Sequence, residues 1–375
     1  MRVLIAPDCF GGTLTASEAA AAVASGWRGT APADRLTLRP LADGGPGFVE
    51  VLHTALGGTP HRLAVRGPLG AEVDAVWLEQ DGTAYIESAQ ACGLHLVPAP
   101  ERRPLEASTA GVGDLIRHAV DSGVRRIVVG LGGSASTDGG SGMLAALGAV
   151  AVDDDGEPLS PGGGALAGCA RLSGAPGLSG VELTMASDVT NPLLGIHGAA
   201  TVFAPQKGAD EAGVQRLERA LTVWADVLAT TFGQDVRAES GAGAAGGLGA
   251  GLLALGARVE SGAGLVRRLT GLDAALDAAD LVITGEGSFD WQSLRGKLIT
   301  AVAEGAAERG LPCLVLAGQV SVGRREAGAV GVESSYSLAD HAGSVQAAMA
   351  DAAGTLAALA ADVARAWSDS AGQAS

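Results

Sequence analysis

Lysine is nearly absent from this chain. Of 25 basic residues only two are lysine, Lys207 in Ala-Pro-Gln-Lys-Gly and Lys297 in Arg-Gly-Lys. In a chain whose other cations are arginine, a lysine beside glycine marks a place where a compact ammonium is needed and backbone can approach closely, as it does at a phosphate. Aromatic residues make up only 3%, so the core is built from Ala, Val, Leu and Gly. The cysteines Cys9, Cys92, Cys169 and Cys313 lie far apart with no paired spacing. That excludes a disulfide framework or a cysteine zinc site and fits reduced thiols in a cytoplasmic protein. No two of the six histidines stand at metal-ligand spacing and none has a nucleophile beside it, which leaves histidine triads without support. The longest uncharged stretch, 241–257, is glycine-rich and shorter than the roughly 20 residues a membrane span needs. Residues 1–10 turn acidic too soon for a signal peptide. A net charge of −16 with no basic cluster excludes nucleic acid and membrane surfaces as partners. An anionic small molecule must then be met by a local site.

What is present is an α/β pattern of about two domains, given the length of 375 residues and roughly 150 per domain. Residues 3–6 read as a first strand. Thr15 with Glu18 three residues on has capping-box spacing for a helix to about Arg28, and 36–41 reads as a second strand. Between 61 and 89, β-like runs broken by Gly67-Pro68 and Asp81-Gly82 predict an antiparallel section. Helix over 113–122, strand over 126–131, helix over 140–147, strand over 183–186 and a long helix over 212–232 follow. Near the end, strand 280–284, helix 297–309 and strand 312–317 form a βαβ unit, and 344–367 reads as one alanine-rich helix. Residues 153–164 are a weak linker candidate. The two ends look alike and the middle does not. The expected organisation is a discontinuous doubly wound domain over 1–62 and 280–375, with a mixed α/β domain, 63–279, inserted.

Ligands of open α/β sheets bind beyond the carboxyl ends of the strands. There this chain gathers acids: Asp8, Asp43, Asp138, Asp188, and Glu286 with Asp290. The loop 132–140, Gly-Gly-Ser-Ala-Ser-Thr-Asp-Gly-Gly, lies between a strand and a helix and can aim N–H groups and three hydroxyls at an anion. Carboxylates, two lysines and glycine-rich loops together are what phosphoryl transfer from a nucleotide requires. No P-loop or kinase His-Arg-Asp loop is present. The literal G-x-G-x-x-G at Gly241, Gly243 and Gly246 follows no strand, so a dinucleotide reading lacks its context.

Several segments, in order along nearly the whole chain, resemble the bacterial glycerate kinase type I family, with this chain similar to a divergent actinobacterial-like member. They are Ala6-Pro7-Asp8-Cys9-Phe10, Ala42-Asp43-Gly44-Gly45, Gly67-Pro68-Leu69-Gly70, 132–143, Asp188-Val189-Thr190-Asn191-Pro192-Leu193, 198–208, 241–251, and 281–287 with Asp290, Gln292, Gly296 and Lys297. The resemblance implies a Rossmann- or flavodoxin-like domain with an insertion, ATP and Mg²⁺ as cosubstrates, and D-glycerate as acceptor. Under it Asp188 and Asp43 are base or metal ligand, with Asp188 and Asp290 as the metal pair. Asn191 orients acceptor or metal, and Gly132, Gly133, Ser134 and Thr137 cradle phosphate. Lys207 and Lys297 neutralise the transferring group, and Glu286 joins the nucleotide site. A homodimer is carried as the assembly to test. Where relatives resemble Ser-Phe-Lys, Asp-Gly-Gly-Glu-Gly and Gly-Glu-Gly-Arg-Ile-Asp, this chain has Gly11, Pro46 and Ser288-Phe289, losing two cations and one carboxylate. Arg295, Arg66 and Arg39 are the nearest replacements in sequence. The other readings are a kinase for another small hydroxy acid and a non-catalytic binder of nucleotide or sugar acid.

Overall fold

The computed structural model describes residues 1–291, 293–294 and 298–371. Within these, the strands in chain order are β1 (Arg2–Ile5), β2 (Arg35–Leu38), β3 (Thr59–Arg66), β4 (Glu72–Gln80), β5 (Thr83–Glu87) and β6 (Arg126–Gly130). They continue as β7 (Ala149–Val152), β8 (Arg171–Gly174), β9 (Glu182–Ala186), β10 (Arg258–Glu260), β11 (Leu281–Phe289), β12 (Cys313–Val320) and β13 (Ser334–Ser337). The chain divides into two units. One holds Met1–Ala42, Glu50–Leu56 and Ala263–Ser375, and the other holds Asp43–Val49 and Gly57–Gly262. The sequence placed the boundaries at 62/63 and 279/280. The contacts instead assign β3 to the inserted unit, because it pairs along its whole length with β4, and give the helices Gly262–Leu269 and Leu272–Asp277 largely to the other.

The unit made from both chain ends carries an all-parallel sheet in the order β2-β1-β11-β12-β13. Counted within that unit the order is 2-1-3-4-5, the flavodoxin-like arrangement, with its topological switch point between β1 and β11. Val3, Ile5, Leu281, Ile283, Leu314 and Leu316 on one face and Leu4, Val282 and Val315 on the other are all buried, as strands covered on both faces must be. The helix Ala16–Thr30 lays Trp27 into that core against the closing helix Ala352–Ala371. Its start is fixed by the expected capping box: Glu18 N–H donates to Thr15 Oγ1 at 3.2 Å and Thr15 N–H to Glu18 Oε2 at 2.9 Å. The expected single helix over 344–367 is two, Val345–Ala350 and Ala352–Ala371, because Asp351 leaves helical geometry at φ −142°, ψ 71°.

The inserted unit has a six-stranded sheet in the order β10-β9-β6-β5-β4-β3, antiparallel through β3, β4 and β5 and parallel from β5 to β10. The antiparallel section expected over 61–89 is there. The linker candidate 153–164 instead lies between the paired strands β7 and β8 and carries its own turn, with Asp153 Oδ1 accepting from the N–H groups of Asp155 and Glu157. Trp77, Leu115, Ile127, Met143, Leu221 and Trp224 are fully buried at the centre of one continuous core. Among the described residues, no helix is long and apolar enough to cross a membrane. The four cysteines are free thiols.

Thr15→Ala removes one half of the capping box together with the hydrogen bond that the Thr15 hydroxyl donates to Glu50 Oε1 at 3.1 Å. The expected loss is about 1 kcal/mol of stability, read as a lower urea midpoint at an unchanged m-value.

Candidate active site

In the inserted unit, β6 runs into Leu131 and then the turn 132–142, whose interior is entirely buried: Ser136, Thr137 and Asp138 are at 0% exposure. Asp138 Oδ2 accepts from the Thr109 N–H and hydroxyl at 2.8 and 2.9 Å and from the Gly142 N–H, and Oδ1 accepts from the Gly140 N–H. Burial pushes this carboxyl above the usual carboxylate range, against the pull of those donors. The sequence grouped Asp138 with ligand-binding acids at strand ends. In the structure it is the internal strut of the turn, with no surface left to offer a ligand.

Lys207 ends the short 3₁₀ turn Pro205–Lys207, and its side chain points inward, with the residue 3% exposed. Its ammonium donates to Ser134 Oγ at 3.0 Å and to the Ser136 carbonyl. Burial pushes Lys207 down to about 8, opposed by Cys92 and Asp138. Burial likewise pushes the neighbouring Cys92 thiol up to about 12, so it remains neutral beside the ammonium at ordinary pH. Expected as a point charge for phosphate in a loop-like segment, Lys207 is buried against the turn opposite it, which it braces, and it also lines a cavity beside that turn.

The space for that ammonium comes from the glycine-rich stretch. Ala245, Gly246 and Gly247 are successively left-handed, at φ 50°, 70° and 87°. A Cβ on Gly246 would lie 2.0 Å from the Ser136 carbonyl oxygen and 2.9 Å from Lys207 Nζ. The G-x-G-x-x-G lookalike is thus a close-packing device behind the turn.

A cavity of about 250 Å³ opens here, bounded by Gly132, Gly133, Ser134, Val189, Phe203 and Lys207 among others. Small-molecule sites are commonly about 300–1,000 Å³, so this one suits an acceptor of a few heavy atoms better than a whole nucleotide. Thr137, expected to touch phosphate, lies beneath the turn and does not line it. Asp188 follows β9, is exposed, and accepts the Ser261 hydroxyl at 2.7 Å; the next residue, Val189, lines the cavity. Asn191 is held by its side-chain N–H on the His197 carbonyl. Asp43 is also exposed, and its Oδ1 accepts the Gly45 N–H at 3.0 Å. A Cβ on Gly44 would sit 2.6 Å from the Ala186 carbonyl, and one on Gly45 would sit 3.7 Å from Gly132 Cα, so segment 43–45 lies over the ends of β9 and β6. Buried Glu87 helps to fix it by accepting the Gly47 and Val49 N–H groups. Asp43, Asp188 and the 132–134 backbone therefore lie at one end of one sheet; of the expected residues, Gly132, Gly133, Ser134 and Lys207 line the cavity, and Asp43, Asp188 and Asn191 are not part of its lining.

Glu286 and Asp290 belong to the other unit, where both line a cavity of about 430 Å³ at the carboxyl ends of β1, β11 and β12. The expected metal pair Asp188 and Asp290 is thus divided between the units. Lys297 and Arg295 lie outside the described residues. Among the described residues no three His, Cys, Asp or Glu side chains gather to hold a metal. Sequence reading missed Phe203 on the first cavity and Val345 and Met349 on the second. For the second pair a signal existed, an apolar stripe at 345, 348, 349 and 352.

A flavodoxin-like unit carrying an inserted mixed α/β unit, each with a small-ligand cavity at strand ends, defines an α/β enzyme of small-molecule metabolism. Comparison with known proteins narrows the class. The Glycerate kinase family profile matches residues 3–368. An uncharacterized protein of Mycobacterium tuberculosis is 50% identical over 355 residues, covering 93% of this chain and 87% of that one. The glycerate 2-kinase of Escherichia coli is 43% identical over 327 residues, 86% of each chain. The crystal structure of a Salmonella typhimurium LT2 protein assigned as a glycerate kinase 2 superposes with a TM-score of 0.80 at 39% identity over 100% of both chains. The chain belongs to the glycerate kinase family and is a phosphotransferase with an alcohol group as acceptor.

Two predictions follow from the braced turn. Gly246→Ala combines backbone strain with a clash on Ser136 and should cost about 3 kcal/mol, measured by urea unfolding. Lys207 has an ordinary value of 10.5 and a folded value of about 8. Between those limits the unfolded chain holds a proton that the folded chain has released, so the stability contributed here grows as pH rises through the window. The stability difference between wild type and Lys207→Met should therefore be larger at pH 9.5 than at pH 7.5. Parallel pH profiles would show that the ammonium is not buried.

Proposed function

We propose that the protein transfers the γ-phosphoryl group of ATP, as its Mg²⁺ complex, to D-glycerate, giving 2-phosphoglycerate. The observation that carries this reading is the 250 Å³ cavity with Ser134 on its wall. Ser134 Oγ accepts from the Lys207 ammonium, so the hydroxyl's own proton is left for another acceptor, and a small carboxylate in the cavity supplies one. The E. coli relative is named a glycerate 2-kinase, which supports glycerate as acceptor and its 2-hydroxyl as the position.

In the reaction the acceptor oxygen bonds to phosphorus as the bond to the β-phosphate oxygen breaks, and the acceptor's proton passes to a carboxylate. Asp188 is proposed as that base, oriented by Ser261, with Asp43 beside the same strand ends as a metal ligand or second acceptor. Asn191, anchored on His197, positions the acceptor, and the Gly132 and Gly133 backbone meets the incoming phosphoryl oxygens. Mg²⁺ would supply charge neutralisation for the phosphates, and Lys297 is retained as a second source of positive charge.

Incubation with Mg·ATP and D-glycerate should give 2-phosphoglycerate by ³¹P and ¹H NMR. No ADP with D-glycerate, L-glycerate or tartronate would leave a binding protein, and a higher kcat/KM for tartronate would move the acceptor. Ser134→Ala should raise KM for glycerate about tenfold with KM for ATP unchanged, the effect of one lost hydrogen bond to a charged group. Asp188→Asn should lower kcat at least about a hundredfold at saturating Mg²⁺.

A further inference from the structure

The cavity of about 430 Å³ in the flavodoxin-like unit has a composition unlike that of the acceptor cavity. It sits at the β1/β11 switch point, where open α/β sheets bind ligands. One wall is bare backbone. A Cβ on Gly318 would lie 2.4 Å from the Gly287 carbonyl and one on Gly287 would lie 3.1 Å from the Gly11 N, so the strand ends pack where no side chain fits. The opposite wall is a helical stripe of Val345, Ala348, Met349 and Ala352, in which Val345 is 40% and Met349 58% exposed. Its charged lining among the described residues is Glu286 and Asp290, with no basic group.

Such a lining does not attract a bare phosphate or carboxylate. It matches a flat, uncharged ring with hydroxyl groups attached. A planar base can slide between a glycine backbone and an apolar stripe, and carboxylates at its edge accept from ribose hydroxyls, as acidic residues do in other nucleotide-binding α/β sheets. We propose that this cavity holds the nucleoside of the phosphoryl donor, the base against Met349 and Val345 and the ribose toward Glu286 and Asp290. The inference rests on the kinase reading only in taking the ligand to be a nucleotide.

The test is isothermal titration of the full-length protein with ADP, adenosine and pyrophosphate, alongside steady-state kinetics. Met349→Glu, at an exposed position, should weaken ADP and adenosine binding at least tenfold and raise KM for ATP in parallel. Pyrophosphate affinity and KM for glycerate should stay within twofold. Ala348→Phe, which fills the cavity, should do the same; if it lowers Tm, Met349→Glu alone decides. ADP and adenosine affinities unchanged in Met349→Glu, or a wild type that binds neither, would overturn the assignment. A wild type that binds ADP through this cavity but forms no phosphoglycerate would instead sink the kinase reading and leave this one standing.

Discussion

The buried ammonium of Lys207 is the constraint on which the cavity at the strand ends of the inserted unit depends. An amine is desolvated, at a cost visible in its lowered pKa, and the cost is offset by oxygens of the very turn that forms the cavity wall. Everything around it is shaped to that purpose. Gly246 gives up its side chain, Cys92 is held neutral, and Asp138 pins the far side of the turn through Thr109, Gly140 and Gly142. This also explains a lysine in a chain that otherwise uses arginine. A planar guanidinium needs more room and a forked set of acceptors, whereas an ammonium fits a pocket whose acceptors are one hydroxyl and one carbonyl.

Much of the architecture was legible in the sequence because its signals were local. Strand 126–131 is a continuous apolar run, the helix at Thr15 carries its capping box, and the turns at Gly67-Pro68 and Asp81-Gly82 close antiparallel strands. The discontinuous domain was readable because both ends share a parallel-sheet pattern that the middle breaks. What failed was whatever depends on the side to which a polar residue turns. Asp138 and Asp188 both lie beyond the carboxyl ends of strands in one sheet, yet one is a fully enclosed strut and the other is exposed. Asp138 is enclosed in part by Thr109, which reaches it from 29 residues earlier in the chain, and no spacing near 138 encodes that. The burial of Lys207 was hidden for the same reason: Gly208 beside it marks a loop-like segment, while the partners that enclose its ammonium, Ser134 and Ser136, stand 73 and 71 residues earlier in the chain.

The alanine-rich ending shows a different limit. Its composition predicts helix throughout, and helix is what forms on both sides of Asp351. Propensity alone gives no reason for a break. The break lies between Met349 and Ala352, within the run of residues that lines the second cavity, so a feature invisible to local preference falls in the cavity wall.

Charge is the remaining problem that the chain must solve. Gly11 and Ser288, the two positions where relatives resemble Lys and Arg, both line the larger cavity. Of the arginines considered as replacements, the two among the described residues, Arg66 and Arg39, are engaged elsewhere. Arg66 is engaged bidentately by Asp114, which also holds Arg117, and Arg39 donates to the Leu38 carbonyl. A protein of net charge −16 with no basic residue in the described lining of this cavity repels a free polyanion there more strongly than a cationic cavity would. A magnesium complex carries much of its own neutralisation, and a base binding through apolar contact is indifferent to the field. On the proposed reading, losing Lys and Arg at 11 and 288 therefore shifts recognition from the phosphates toward the base and the bound metal. That shift is consistent with an exposed methionine and valine being kept on the cavity wall, where solubility alone would favour polar residues.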